Sequence, residues 1–581
     1  MSLTLIPHPT VSRQQVREAS KGEAMTRSVD LVVVGSGAGG LSAAVTAAAK
    51  GLSVTVLEKA EVLGGTTAWS GGWIWAPRNP VVRRAGITEP AEAPRRYLQA
   101  VLGNRFEPER VDAFLAAAPE MVGFFESLTA LEFEAGTAIP DTYGQLPGAG
   151  TGGRSVIAKP FDGRKLGEAI ELLRLPTRET TFLGMTIQAG PDLRAFMTMT
   201  RSPRAFLHAT RRVMCHLRDL ALHRRGMDLR NGNALVARLL RSALDLGVEL
   251  RPGCAVRALQ KDNGRITGVT LADGTLLRCR VGVVLATGGY PHDAVLRAGT
   301  FPRNAEHQTL AIPEARGDGI AMARAIGAQM RRDLARAAAL CPVSVVPWPD
   351  GTRGTFPHII ERGKPGVIGV LANGKRFCNE GLGYHDYVDA LLGAAPEDQP
   401  ARSWLVCDFR FLRRFGLGIV RPQPLPWRHW VRRGYLKTGR DLAELARACG
   451  IDPAGLEATV AEWNRGAARG EDPLFHRGTT PYMRLQGDPE QQPNPCVAAI
   501  SRAPFFAVEV VPGSFGTFSG LAANGRAQVL DTEGAPIPGL WAVGTDMASV
   551  FGGHYPAGGI NLGPAMTFGF IAGRDAAELS A

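Results

Sequence analysis

The run Gly35-Ser36-Gly37-Ala38-Gly39-Gly40 can hold a pyrophosphate with main-chain atoms alone. Gly35 permits a tight turn, Gly37 lets the backbone approach the phosphates, and Gly40, at the third glycine position, lets the following helix pack closely on the preceding strand. A helix that begins here presents unpaired N–H groups and a partial positive charge to the anion. Downstream, Glu58 stands where a carboxylate accepts from ribose hydroxyls. These residues, with Ala38 and Lys59, are the first set of expected contacts to a bound dinucleotide.

Three later segments are expected on the same molecule. Leu63 to Gly72 sets Gly64, Gly65, Gly71 and Gly72 around Thr66, Thr67 and Ser70, a loop able to lie flat along a long cofactor. A plain NAD domain would continue here with another strand and helix, so FAD, held non-covalently, is the expected ligand. Val281 to Tyr290 (VGVVLATGGY) is a buried strand ending in Ala286, Thr287 and Gly288, and Val256 lies in the strands just before it. Near the end, Gly544 and Asp546 follow another strand, and Gly558, Asn561 and Leu562 precede a helix expected from Met566 to Ala577. Glycines that lead into a helix make an anion- or carbonyl-binding N-terminus.

These groups need a strand–turn–helix–strand scaffold. Asp30 to Val34 (DLVVV) reads as a buried parallel strand, Leu41 to Lys50 as a helix closed by Gly51, and Leu52 to Leu57 as the next strand. Asn263-Gly264 marks a hairpin and Ala272-Asp273-Gly274 a further turn. The expected fold class is therefore α/β: a discontinuous Rossmann-like FAD-binding domain (28–293 and 516–581) with an inserted α+β substrate or capping domain (294–515). Helix-like stretches fall at 440–449 and 453–465.

With 581 residues, the chain is long enough for two or three domains. The formal net charge is +12, and much of the excess lies between Arg201 and Arg225. That run reads either as a solvated helical face or as a contact with an anionic membrane surface. Nothing resembles a nucleic-acid reading module. The eight cysteines form no CxxC and have no metal-ligand spacing, so no metal is expected and the thiols read as buried in a reducing compartment. The expected location is the cytoplasm, with peripheral membrane contact as the finer reading. Residues 1–27 lack an apolar secretory core and are expected to be a disordered tail, with Met25 placed where a start could also fall.

With these motifs in view, the chain resembles the fumarate-reductase/3-ketosteroid-dehydrogenase superfamily of flavoproteins, most closely the 3-ketosteroid Δ1-dehydrogenases. The likeness rests on the Gly35 segment, GGTTAWSGGWIWAP (64–77), PDTYGQLPGAGTGGRS (140–155), AKPFDGRKLG (158–167), LATGGY, GKRFCNEGLGY (374–384), APFFAVEVVPGSFGTFSG (503–520) and the segment around Tyr555. The resemblance implies α,β-desaturation of a small apolar ketone, a steroid first, with hydride passing to flavin N5 and on to an external electron acceptor. It implies that Tyr384 is the base on the carbon beside the ketone, and that Tyr555 and the N–H of Gly559 bind the ketone oxygen. A third tyrosine relays protons in that family. At its position stands Thr142, with Tyr143 adjacent.

Neither steroid subgroup is matched completely, because the Tyr-Pro-Ser-Gly of Δ4-type enzymes reads Tyr555-Pro556-Ala557-Gly558 here. The arginine of the fumarate branch is replaced by Pro556, which argues against a dicarboxylate substrate. Other cyclic ketones, enone reduction with electrons from a partner, and a FAD-binding protein without turnover are the alternatives. A tyrosine base needs help, since a free phenol titrates near about 10; cationic surroundings or a neighbouring hydroxyl are the expected source.

Overall fold

The computed structural model describes residues 28–303 and 306–580. The tail expected at 1–27 lies outside the described residues. Val29–Val34 sits in the middle of the first sheet, parallel on one side to Leu276–Leu285 and on the other to Val54–Leu57. Its register sets Val33 between Val284 and Val56. A strand covered on both faces has no water-facing positions, which is why it reads as consecutive valines rather than an alternation. Glu249–Arg251 extends the sheet beyond Val54–Leu57, and Pro536–Ala542 joins beyond Leu276–Leu285. Residues from the beginning, middle and end of the chain thus meet in one sheet.

The expected hairpin joins Val256–Asp262 to Arg265–Leu271, with Asn263 and Gly264 both at positive φ, and it leads into Leu276–Leu285. The first helix runs Ala38–Ala49, and Gly51 (φ +93°) turns the chain out of it. The final helix begins earlier than Met566, spanning Leu562–Glu578. Pro564 does not prevent this, because first-turn N–H groups have no intrahelical partner to lose. This helix packs on Ala38–Ala49 through small residues. A Cβ on Gly569 would come within 2.4 Å of the Gly39 carbonyl oxygen, and one on Gly573 within 2.6 Å of that of Ala43.

The second large sheet is mostly antiparallel and centred on Phe505–Thr517, which pairs with Ala338–Pro347 and Ser403–Asp408. Arg353–Pro357 and Val367–Val370 form its edges. The helix-like stretches of this part are Leu442–Cys449 and Pro453–Ala467, each capped by an aspartate (Asp441, Asp452) that accepts an N–H three residues on. A small three-stranded sheet, Trp73–Trp75 with Phe133–Ala135 and Ser155–Ala158, borders the first. The architecture is an α/β FAD-binding fold with a capping part.

The basic run forms the helix Pro203–His223. It is neither uniformly solvated nor uniformly basic outside: Arg212 and Arg225 are buried, while Arg204, Arg211, Arg218 and Arg224 are exposed. The thiols divide in the same way. Cys279, Cys341, Cys378, Cys407 and Cys496 are buried as expected, but Cys215, on the outer side of this helix, is exposed. Among the described residues, no helix is long and apolar enough to cross a membrane.

Candidate flavin and ketone site

A single large cavity of about 2330 Å³ runs from the Gly35 turn to the second sheet. Sites for one small molecule span roughly 300–1,000 Å³, so this space admits a dinucleotide and a second ligand together. Its walls include Gly35, Gly37, Ala38, Gly39, Glu58, Lys59, Gly65, Thr66, Thr67, Ser70, Gly71, Gly72 and Val256. They also include Ala286, Thr287, Gly288, Gly544, Gly558, Asn561 and Leu562.

At this end the wall is backbone. Gly35 (φ +106°) lies against Ala286, where a Cβ would fall 2.2 Å from the Ala286 carbonyl oxygen. Gly71, Gly544 and Gly558 instead face open space, with nothing within 4 Å of a Cβ position. The Thr67 hydroxyl accepts from the Ala38 N–H (3.0 Å), which ties the Gly64–Gly72 loop to the first helix. Glu58 accepts from both the N–H (3.1 Å) and the hydroxyl (2.6 Å) of Ser36, and from the Ala60 N–H (3.0 Å). Its carboxylate is held on the wall with lone pairs left for ribose hydroxyls. Open glycine edges, a helix N-terminus and an anchored carboxylate fit the demands of FAD.

Two expected cofactor residues are not on that wall. Gly40 serves packing: a Cβ there would lie 2.0 Å from the Gly35 carbonyl oxygen. Asp546 is fully buried, and its carboxylate accepts from the N–H and hydroxyl of Thr287 and from the Gly289 N–H (2.9 Å), so it shapes the 287–289 turn from behind.

At the other end the wall is side chain. Tyr384 opens the helix Tyr384–Ala394, and its ring meets that of Tyr555 edge to face at 4.9 Å and that of Phe515 at 5.3 Å. Tyr384, Tyr555 and Gly559 all line the cavity. The loop before Tyr384 is anchored by a buried ion cluster in which Glu380 accepts from Arg376 (2.7 Å) and Arg477 (3.2 Å), while Arg376 also pairs with Asp472 (2.8 Å). Burial opposes the Glu380 charge, but the two arginines outweigh it and hold the carboxyl below its usual range.

The Tyr555 segment is clamped from several sides. Tyr97 donates to the Pro556 carbonyl (2.6 Å), the Thr142 N–H donates to the same oxygen (2.9 Å), and Ser155 donates to the Gly558 carbonyl (3.1 Å). Asn561 Nδ2 donates to the Tyr555 hydroxyl (3.1 Å). Gly559 (φ +100°) carries no Cβ because one would fall 2.7 Å from the Trp75 nitrogen.

The expected relay pair is off the cavity. Thr142 is buried and acts through its backbone N–H, while the Tyr143 hydroxyl donates to Asp386 Oδ1 (2.7 Å). Asp386 Oδ2 is buried without a partner, and burial raises this carboxyl to about 6. The expected cationic help for Tyr384 is also missing from its strongest influences. Burial pushes its phenol well above the ordinary range, and Tyr555, Tyr482 and Cys341 push it further. Burial raises Tyr555 as well.

Tyr482 was not singled out by the sequence. It is cavity-lining, and burial raises its phenol to about 12. The only nearby signal is the helix start Thr480-Pro481, which marks a cap and says nothing of a cavity. Of the aromatics in the same segments, Trp73 lines the cavity, while Trp75, Phe505 and Phe506 pack in cores. His554 is off the wall, its charged form disfavoured by burial and by Arg336.

The FAD binding domain family matches residues 30–562. The chain is 38% identical to 4-oxocyclohex-2-ene-1-carboxylate 5-dehydrogenase of Sinomonas cyclohexanicum, over 96% of this chain and 95% of that one. It is 35% identical to 3-oxosteroid 1-dehydrogenase of Mycobacterium tuberculosis, over 94% of this chain and 98% of the relative. Its fold is similar to that of 3-ketosteroid Δ1-dehydrogenase from Sterolibacterium denitrificans solved with 1,4-androstadiene-3,17-dione. That structure superposes with a TM-score of 0.88 at 33% identity, covering 95% of this chain and 100% of that one. With a glycine-walled dinucleotide end, a tyrosine-walled reaction end and relatives that match almost end to end, the chain belongs to the FAD binding domain family and is a FAD-dependent oxidoreductase.

Proposed function

We propose that this protein introduces a C=C bond beside a ring ketone, with 3-ketosteroids as the first substrate class. The observation that carries this reading is the pair of phenols, Tyr384 and Tyr555, whose rings meet at 4.9 Å on the wall of a cavity that also takes the dinucleotide. In this reading Tyr555 and the Gly559 N–H hold the ketone oxygen as negative charge develops on it, a donor of this kind being worth about 3 kcal/mol in the transition state. Tyr384 receives the α-proton. The bound flavin supplies the acceptor for the β-hydride, and an external acceptor reoxidises it. Residues 28–293 and 516–581 hold the cofactor and 294–515 shape the ketone end together with Tyr555 and Gly559, with Phe505–Thr517 running across that junction. The cytoplasm, with peripheral membrane contact, is the location this reading assigns.

The raised phenols bear on mechanism. A base buried this deeply is poorly served by a free phenolate, so the proton taken up at Tyr384 Oη must be matched by loss of the proton already there. Tyr482 is a further phenol on the wall of the same cavity as Tyr384, and it is the exit this reading assigns in place of the missing relay tyrosine.

A second reading is a ring ketone that bears a carboxylate. It is favoured by the basic side chains on the same wall, Arg353, Lys364 and Arg421, and by the name of the Sinomonas relative. Anaerobic mixing tests both. Bleaching of the flavin by 4-ene-3-ketosteroids supports the first reading, and bleaching only by 4-oxocyclohexanecarboxylates supports the second. A flavin that stays yellow with both sets sinks the two together.

A further inference from the structure

The helix Pro203–His223 is amphipathic the wrong way round for a helix that packs on a protein core. A surface helix normally buries its apolar stripe and shows its polar one. Here the inward positions are Ala209, Arg212, His216 and Asp219, all buried. They are held by polar contacts: Arg212 pairs with Asp192 (2.7 Å), His216 bonds the Leu183 carbonyl (2.9 Å), and Asp219 accepts from the Met227 N–H (3.1 Å). The outward side carries Phe206 (55% exposed), Leu207 (69%), Met214 (60%), Leu217 (42%) and Leu222 (69%). Leu183, in the loop that receives the helix, adds another side chain at 65%.

Leaving such side chains in water forgoes the free energy their burial would release, and a contiguous exposed patch of this kind marks a contact surface. Its flanks identify the partner. At 100° per residue, Arg204, Arg211 and Arg218 share one border of the apolar stripe, and Arg224 follows at the helix end. Among the described residues, Arg204, Arg211 and Arg224 have no carboxylate within ion-pair distance. An apolar stripe edged by unpaired arginines is complementary to a layer that is oily inside and anionic at its surface. A protein partner would need its own carboxylates set along that border, whereas an anionic lipid surface supplies them everywhere.

We propose that the outer face of Pro203–His223 lies in the interface of an anionic lipid bilayer. The consequence for the enzyme is positional. The same module borders the large cavity, through Leu193, Met197, Arg201, His208 and Arg224. An apolar ketone dissolved in the bilayer would then meet the cavity mouth without crossing bulk water. The delivery role rests on the desaturation reading, but the docking does not.

The test is flotation of the FAD-loaded protein with vesicles of phosphatidylcholine alone or with phosphatidylglycerol, at low and high salt. Binding is expected only to the anionic vesicles and should weaken with salt. Leu207→Glu with Leu222→Glu should reduce it by more than tenfold. Arg204→Glu with Arg211→Glu should reduce it by at least about 25-fold, each arginine near an anionic surface being worth about fivefold. All of these side chains are exposed, so the variants should keep the yellow FAD spectrum and the wild-type rate on a water-dispersed ketone. Unchanged vesicle binding in both variants overturns the proposal. So does a wild-type dimer in sedimentation that the leucine variant converts to monomer, since a second copy would then be the occupant. Failure of ketone turnover with vesicle binding intact would instead remove the substrate reading alone.

Discussion

The two ends of the cavity work by different means. At the dinucleotide end the chemistry is done by main-chain groups, and the side chains are chosen for their absence: Gly37, Gly65 and Gly71 leave room, and Gly35, Gly40 and Gly569 let elements touch. At the ketone end most of the work falls to phenols, Tyr384, Tyr555 and Tyr482, supported by Phe515, with the Gly559 N–H as the main-chain group beside them. A backbone site fails by steric exclusion, so one methyl group can destroy it. A side-chain site fails by loss of one atom's function and leaves the scaffold intact. The substitutions below are ordered by how strongly they should expose that difference.

Gly40→Ala is expected to have the largest effect. Its Cβ has to sit where the Gly35 carbonyl oxygen already is, 2.0 Å away, and that oxygen belongs to a turn fixed by the central strand. A cost of more than about 4 kcal/mol is expected, which places it in the exceptional tail of single substitutions. The purified protein should be colourless or fail to accumulate. Recovery of a yellow protein with normal thermal stability would show that the turn can shift and that the cofactor end tolerates side chains.

Tyr384→Phe should do the opposite: full FAD, wild-type stability, and a turnover loss of roughly 10²–10⁴-fold, as for removal of a proton-transfer group. Stopped-flow reduction by a ketone substrate reads it directly. Tyr555→Phe should lose roughly 10²–10³-fold, the range for a single oxyanion donor. It should also weaken binding of phenols that mimic the enolate. If Tyr555→Phe proves the more damaging of the two, oxygen stabilisation rather than proton removal dominates the barrier.

The contrast explains what could be read in advance. The Gly35 turn, the acid at Glu58 and the hairpin at Asn263-Gly264 are local features, in which spacing along the chain fixes geometry in space. The final helix begins four residues before the expected Met566, and it carries Pro564 in its first turn, where a proline costs nothing. The ketone end was legible only through family likeness. Its phenols come from residues 384, 482 and 555 and converge through long-range pairing of Phe505–Thr517 with its neighbours, which no local pattern encodes. Tyr143 shows the limit of that likeness: it stands next to the relay position, yet its hydroxyl turns to Asp386, behind the cavity wall. The inverted helix at 203–223 was read only for its charge, since which side faces inward depends on Asp192 and the Leu183 carbonyl.

Asp386→Asn separates a structural role from a chemical one. Burial raises the Asp386 carboxyl from its ordinary value to about 6 in the folded protein, so folding favours its protonated form. The stability it contributes is complete below the unfolded value near about 4 and is lost as pH rises through the folded value. Removing the titration should therefore raise the thermal midpoint at pH 8 relative to wild type, with a ceiling of about 3 kcal/mol, and give no such gain at pH 4. Equal shifts at both pH values would mean that the carboxyl is not raised in the folded state.

Tyr482→Phe should be the mildest of the series if the hydroxyl is only a wall group. Loss of one buried hydroxyl would then cost about 1 kcal/mol of stability, with turnover and the FAD spectrum little changed. A role in carrying the proton away from Tyr384 predicts more. Turnover should then fall toward that of Tyr384→Phe, and the double variant should be no worse than the single one, because two members of one proton path fail together. Additive losses in the double variant would separate the two phenols and leave the proton of Tyr384 to another exit.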